Sequence, residues 1–165
     1  EDVSPLSIAV SLVHPNLEAV RLILDYRPDS VYKNDEDGSL PLMHACANNE
    51  NIEIIEYLYS IYPAALTVLD SYGCAAIHYA AYSGTPCIVE YLINISIDCL
   101  NIREGNGALP LHDAVQNQRN ISETEEIVRI LLHHSPIAAR QRDDLGAFPL
   151  HKAVKSATLN VVQMI

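Results

Sequence analysis

The feature that most constrains the fold of this chain is a nine-residue pattern that occurs four times along its sequence. Each copy holds a glycine near its start and an alanine at its end, with a Pro-Leu pair between them in three of the four copies. The copies lie at intervals of 35, 34 and 39 residues, and a fainter copy over residues 4–9 precedes them. A period of this length is typical of proteins built from stacked repeats. The four copies are DGSLPLMHA (37–45), YGCAAIHYA (72–80), NGALPLHDA (106–114) and LGAFPLHKA (145–153).

A second pattern recurs in step with the first and predicts an amphipathic helix. Its second position is always charged, as at Arg21 and Glu56, and is predicted to face water. The other four positions are apolar or aromatic in every copy, so helical spacing predicts that they face the core. Each period therefore holds two short helices, the first beginning at the Pro-Leu pair because proline suits an opening turn. The second pattern occupies residues 20–24, 55–59, 89–93 and 128–132.

The glycine of each copy predicts a tight turn, since glycine adopts positive φ at little cost. The longest interval contains an insertion, 118–122, which we expect to lengthen only the loop between the two helices of that period. Ser122 followed by Glu125 predicts a capping box at the start of the second helix there.

These segments resemble the ankyrin repeat, whose signature is a glycine turn, a Thr-Pro-Leu-His-x-Ala segment and an Ile-Val-x-x-Leu-Leu helix. The resemblance implies an all-α fold, an ankyrin-repeat solenoid of stacked antiparallel helix pairs with projecting β-turn or hairpin loops. We expect a single array over residues 1–165 that is a segment of a longer protein. Its expected units are 1–35, 36–70, 71–104, 105–143 and a truncated 144–165.

The chain departs from the signature at two positions. The threonine is replaced in every copy, for example by Leu40 and Ala75, so the hydroxyl that usually caps the first helix is missing. The histidine is kept at His78, His112 and His151, but Met43 takes its place in the first copy. We expect the polar link between neighbouring repeats to be weakest at that copy.

Nothing in the sequence predicts catalysis. It contains no nucleophile elbow, phosphate-binding loop, dinucleotide fingerprint or HExxH helix. Three of the seven histidines occupy the family's structural position, where the resemblance implies hydrogen bonds to the backbone of the adjacent turn. We therefore expect no enzyme activity, no catalytic, cofactor-binding or metal-binding residue, no cofactor and no small-molecule substrate. A metal-dependent hydrolase is the alternative that tightly bound metal would reveal.

The net charge of −11 limits the class of partner. Residues 36–70 carry six acidic side chains and no lysine or arginine, which disfavours nucleic acid and is compatible with a basic protein partner. The alternative is an acidic surface that only aids solubility. No apolar run is long enough for a membrane span. The four cysteines form no CxxC pair, so we expect an intracellular protein, in the cytoplasm or the nucleus.

The ankyrin resemblance implies protein binding on a concave face built from turn tips and first helices. Tyr72 and Tyr82 are the candidate anchors, because tyrosine is frequent among binding hot spots. The alternative to this scaffold function is a regulatory or positioning region of a larger enzyme or multi-subunit assembly. The candidate partner-binding residues are Tyr72, Tyr82, Tyr79, Asn48, Asn117 and Asp37.

Overall fold

The computed structural model describes residues 4–12, 14–48, 51–116, 120–155 and 158–165, together with the backbone of Ser156. Within these ranges the chain is all-α and contains no strand. Ten α-helices form five consecutive pairs, as the sequence predicts for a solenoid. They are α1 (Pro5–Val10), α2 (Leu17–Tyr26), α3 (Pro41–Asn48), α4 (Ile52–Ile61), α5 (Ala76–Ser83), α6 (Pro86–Ile95), α7 (Pro110–Ala114), α8 (Ile121–His134), α9 (Pro149–Ser156) and α10 (Leu159–Met164).

A short 3₁₀ helix follows the second helix of each of the first four pairs. Proline opens three of these segments, where its missing N–H costs nothing because the first turn leaves that donor unpaired. Each segment buries one or two small or apolar side chains, such as Val31 and Leu100, against the helices. The 3₁₀ helices are Pro28–Tyr32, Pro63–Leu66, Ile97–Asn101 and Pro136–Arg140.

The first helices begin without the usual hydroxyl cap, and histidine replaces it. Nδ1 of His78 accepts a hydrogen bond of 3.0 Å from the backbone N–H of Ala75, which precedes α5. His112 and His151 do the same for α7 and α9. In α3 the sulfur of Met43 accepts the corresponding N–H at 3.4 Å, a weaker contact. The predicted structural role of the three histidines is confirmed.

Turns between the pairs project from the helices and bond to one another. The four predicted turn glycines all have φ between 77° and 82°, as expected. Adjacent turn tips are joined by backbone hydrogen bonds, for example from Gly105 N–H to the carbonyl of Tyr72 at 2.7 Å. His78 and His112 add Nε2 contacts of 3.1 and 3.2 Å to carbonyls of the following turn, at Ile102 and Ala147. Neighbouring turns are thus held in register with the helices beneath them.

One continuous apolar core runs through the stack. First helices pack on first helices along its length, and Leu42, Ile77 and Leu111 of α3, α5 and α7 are all buried. Each such side chain contributes about 1.5–3 kcal/mol through removal of its surface from water. The second helices contribute Ile55 and Val89 to the same core.

The structure corrects three expectations. The third position of the second pattern does not face the core in the first copy, where Leu22 is 58% exposed, whereas Tyr57, Tyr91 and Ile130 in the other copies are half-buried and pack against the core. The predicted capping box is wrong, because α8 begins at Ile121 and its N-cap is Asn120, whose side chain accepts N–H groups from residues 122 and 123. The insertion therefore lengthens the helix as well as the loop, and α8 has 14 residues where α2, α4 and α6 have 10.

Candidate protein-binding groove

The turns and the first helices enclose a groove whose central part we call the tyrosine pocket. It has a volume of about 590 Å³ and lies between the turns at Tyr72 and Asn106, above α5 and α7. Three of the six predicted partner-binding residues line it. The pocket is lined by Ser71, Tyr72, Cys74, His78, Tyr79, Tyr82, Glu104, Gly105, Asn106 and Asp113.

Tyr72 stands at the rim of the pocket, 60% exposed on its turn tip. Its hydroxyl donates a hydrogen bond of 3.1 Å to Oδ1 of Asp37, on the neighbouring turn. This hydrogen bond and the charge of Asp37 raise the pKa of the phenol. Two predicted site residues are therefore in direct contact, although Asp37 itself lies outside the pocket lining.

Tyr79 is half-buried in the wall of the pocket. Its hydroxyl donates to Oδ2 of Asp70 at 2.5 Å and lies 2.9 Å from the hydroxyl of Ser39. Burial and the bond to Asp70 raise the pKa of Tyr79, so the phenol is neutral at pH 7. Tyr79 thereby ties two turns to α5.

The remaining predicted residues occupy different positions. Tyr82, near the end of α5, is 54% exposed and borders the pocket on the side away from the turns. Asn48 is half-buried at the end of α3, where its amide donates to the carbonyl of His44 at 3.3 Å, and it does not line the pocket. Asn117 lies outside the described residues.

The pocket has an acidic floor that sequence reasoning missed. Asp113 of α7 is only 7% exposed, and its Oδ2 has no hydrogen-bond partner among the described residues. Burial and the nearby charge of Glu104 raise the pKa of Asp113 to about 8, against an opposing effect of Lys152. The carboxylate of Glu104 accepts a hydrogen bond of 3.1 Å from the thiol of Cys74, which is a weak donor.

Other parts of the groove have the opposite charge. A second hollow of about 520 Å³ continues from Tyr82 towards α9 and includes Lys152 and Lys155. The Lys152 ammonium lies 3.3 Å from Oδ2 of Asp143, a turn carboxylate that is itself buried. The groove therefore changes from acidic at the turns near Glu104 to basic near α9.

The described part of the chain lacks two further kinds of feature. No cluster of three or more histidine, cysteine, aspartate or glutamate side chains there could hold a metal ion. None of its helices combines the length and the apolar character that crossing a membrane requires.

Family models for ankyrin repeats match almost the entire chain. The model described as ankyrin repeats (3 copies) matches residues 43–124 and 77–165, and the one described as ankyrin repeats (many copies) matches residues 6–58. The chain belongs to the ankyrin repeat family. Ankyrin repeats generally mediate protein–protein interaction, and the family is a non-catalytic interaction module.

This ankyrin array is similar to segments of much longer proteins. It is 31% identical over 121 residues to the human transient receptor potential cation channel subfamily A member 1, covering 69% of this chain and 10% of that protein. It is 32% identical over 115 residues to the human SMC5-SMC6 complex localization factor protein 1, covering 68% of this chain and 10% of that protein. A third relative, the Drosophila melanogaster tyrosine-protein kinase Shark, is 27% identical over 131 residues, covering 76% of this chain and 13% of that protein. The chain thus spans about a tenth of the length of these curated relatives.

Proposed function

We propose that this array is a scaffold module that binds a protein partner in the groove, with Tyr72 and Tyr82 as its anchors. The observation that supports this most directly is the exposure of both rings at the edges of a pocket of about 590 Å³. Aromatic side chains that remain solvent-accessible in a concave site gain most when a partner covers them.

The proposed anchors are also pre-organised. The Tyr72 hydroxyl is held by Asp37, and Tyr82 extends from the helix α5, which is packed between α3 and α7. A partner that covers these rings orders few side chains, so less conformational entropy opposes binding. We propose that Tyr79, Asn48 and Asn117 surround the anchors with polar groups and that Asp37 adds negative charge.

A second candidate function is a regulatory or positioning segment of a larger enzyme or assembly. Two of the relatives are, by name, a cation channel and a tyrosine-protein kinase, and the chain corresponds to about a tenth of each. In that case the groove binds another region of the same polypeptide or a neighbouring subunit. We also propose the five units given above as the boundaries of the array and an intracellular location, which the four free thiols support.

Affinity capture with the intact protein, followed by a binding assay with the isolated partner, tests the anchor proposal. The variant Tyr72→Ala with Tyr82→Ala is expected to weaken binding by at least about thirtyfold, since one hot-spot truncation costs about 2 kcal/mol or more. Tyr26→Ala is the matched control, because Tyr26 is 87% exposed on α2 and outside the groove.

An affinity that the double variant leaves unchanged would show that the partner binds elsewhere. To separate the two candidate functions, binding of the array to the flanking regions of its own protein is measured as well. Binding to those regions that depends on the tyrosines favours the regulatory segment, and binding only to a separate protein favours the scaffold.

A further inference from the structure

At one position of the repeat, the side chain contacts the turn of the same repeat in every copy but one. The residue between the histidine position and the alanine, which we call the variable position, is His44, Tyr79, Asp113 or Lys152. In three copies its side chain contacts the carboxylate that begins the turn. These contacts are His44 Nε2 to Asp35 Oδ2 at 2.7 Å, Tyr79 hydroxyl to Asp70 Oδ2 at 2.5 Å, and Lys152 Nζ to Asp143 Oδ2 at 3.3 Å.

In the remaining copy, the residue that begins the turn and the residue at the variable position are both acidic. Its turn begins with Glu104 instead of aspartate, and its variable position is Asp113. Both carboxyl groups line the tyrosine pocket, where the negative charge of Glu104 and burial both raise the pKa of Asp113. The donor that the other three copies supply at this point is replaced here by a second acceptor, and Oδ2 of Asp113 is left without a hydrogen-bond partner in the described structure.

The shape of this turn also frees Glu104 for a ligand. In the turns of Asp70 and Asp143, the carboxylate Oδ1 accepts two backbone N–H groups of its own turn. In the exceptional turn Asn106 accepts the N–H of Ala108 instead, at 3.1 Å. Glu104 therefore directs its carboxylate towards Cys74 and the pocket.

We infer that Glu104 and Asp113 form a receptor for one cationic side chain, arginine or lysine, of the protein that binds the groove. This inference rests on the proposed function and specifies the chemistry of its partner. The cation supplies the positive charge that this repeat lacks, and the charge-assisted hydrogen bonds it forms with Glu104 are stronger than neutral ones. The exposed rings of Tyr72 and Tyr82 border the same pocket and offer cation–π contact to an entering side chain.

The charges around the tyrosine pocket favour the binding of a single cation between Glu104 and Asp113. Among the described residues, neither a lysine nor an arginine lines the tyrosine pocket, and the histidine in its wall, His78, has a pKa lowered by burial and is neutral at pH 7. Lys152 lies close enough to affect Asp113 but is in contact with Asp143. A pocket with two carboxyl groups and no resident cation selects a positively charged group over a neutral or acidic one.

The test is an NMR titration of the whole 165-residue chain with three small probes. Nα-acetylarginine methylamide and Nα-acetyllysine methylamide carry the cation, and Nα-acetylcitrulline methylamide is the neutral analogue of the first. We expect at least one cationic probe to shift the amide signals of Tyr72, Gly105 and Asn106 saturably, at millimolar concentration. Citrulline is expected to bind at least about tenfold more weakly, which corresponds to about 1.4 kcal/mol.

Variants at the two carboxyl groups complete the test. Asp113→Asn and Glu104→Gln are each expected to weaken the cationic probes about tenfold, whereas Asp98→Asn makes the same substitution at an exposed site outside the pocket and should have no effect. Equal shifts with citrulline, no saturable shift with either cation, or unchanged affinity in both pocket variants would overturn the receptor.

The isolated partner separates this inference from the proposed function. A partner that loses affinity with the tyrosine double variant but not with Asp113→Asn or Glu104→Gln binds the groove without using the receptor. A partner insensitive to all four substitutions contradicts both proposals.

Discussion

The hydroxyl of Tyr79 donates a hydrogen bond of 2.5 Å to Oδ2 of Asp70 and lies 2.9 Å from Oγ of Ser39, so that one side chain of α5 joins two successive turns. Ser39 and Asp70 are both buried. Unlike the backbone bonds between turn tips, this link depends on a single side chain, and it is therefore open to test.

Removal of the Tyr79 hydroxyl should destabilise the array. Tyr79→Phe keeps the ring but leaves Asp70 and Ser39 without this partner, which we expect to lower the free energy of unfolding by about 1–3 kcal/mol. Urea denaturation followed by circular dichroism measures the change, with the exposed Tyr26→Phe as the control. A loss no larger than that of the control would mean that the link contributes nothing measurable.

Two histidines with the same helix-capping role should differ in their contribution to stability. His112 is buried and bonds both the N–H of Leu109 and the carbonyl of Ala147, whereas His151 is exposed and caps only α9 through Phe148. We expect His112→Ala to cost about 2–4 kcal/mol and His151→Ala about 1 kcal/mol or less. Denaturation midpoints of the two variants compare them directly, and equal losses would contradict the importance of the contact with the next turn.

Two of the turn glycines have the same backbone geometry but different amounts of free space around the Cα atom. Gly73 and Gly146 both have φ of 78°, so an added Cβ incurs the same conformational cost of about 1 kcal/mol at each. At Gly73 the Cβ would also overlap the backbone of Gly105, while at Gly146 the nearest atom is a guanidinium nitrogen of Arg142 at 3.9 Å, an ordinary van der Waals distance. Gly73→Ala should therefore lower the thermal midpoint clearly more than Gly146→Ala. Similar thermal midpoints would mean that the neighbouring turn moves aside and accommodates the added Cβ of Gly73→Ala at no measurable cost.

Asp113 should make the stability of the array depend on pH. Its pKa of about 8 in the folded state exceeds its value in the unfolded chain, so between about pH 4 and 8 the folded state binds more protons than the unfolded state. Folding stability contributed by the protonated form is therefore lost as pH rises through this window, by an amount on the order of a few kcal/mol. The charged groups that act on this carboxyl are Glu104 and Lys152.

Asp113→Asn removes that titration. We expect the variant to be more stable than the wild type at pH 8 and to show a flatter stability profile between pH 5 and 8 in urea denaturation. Asp98→Asn, at an exposed site, controls for the change in net charge. Parallel profiles for wild type and Asp113→Asn would contradict the raised pKa.

Most of the architecture could be predicted because the information is local and repeated. Pro41 and Pro110 mark helix starts, and Gly73 marks a turn, through conformational preferences that need no knowledge of distant residues. The prediction failed where two local signals competed. Asn120 and Ser122 are both good N-caps, and only the folded chain shows that Asn120 is used.

The candidate site was less predictable, because its defining contacts join separate parts of the chain. Tyr72 and Tyr82 could be proposed from their positions in the repeat, since the family pattern assigns those positions to the concave side. Comparison of the variable position with the start of each turn would have shown the two acids of one repeat in the sequence. It would not have shown that Asp113 is buried or that the carboxylate of Glu104 contacts Cys74 and lines the pocket.

The sequence by itself determined the repeat, the order of its helices and turns, and the ankyrin family, because each depends on short-range periodicity and on special backbone positions. Tertiary structure alone decided that Tyr72 contacts Asp37 and that Glu104 and Asp113 line one pocket. The physical reason is that charge and hydrogen-bond energies depend on the distance and burial of side chains, which the stacking of turns on helices sets.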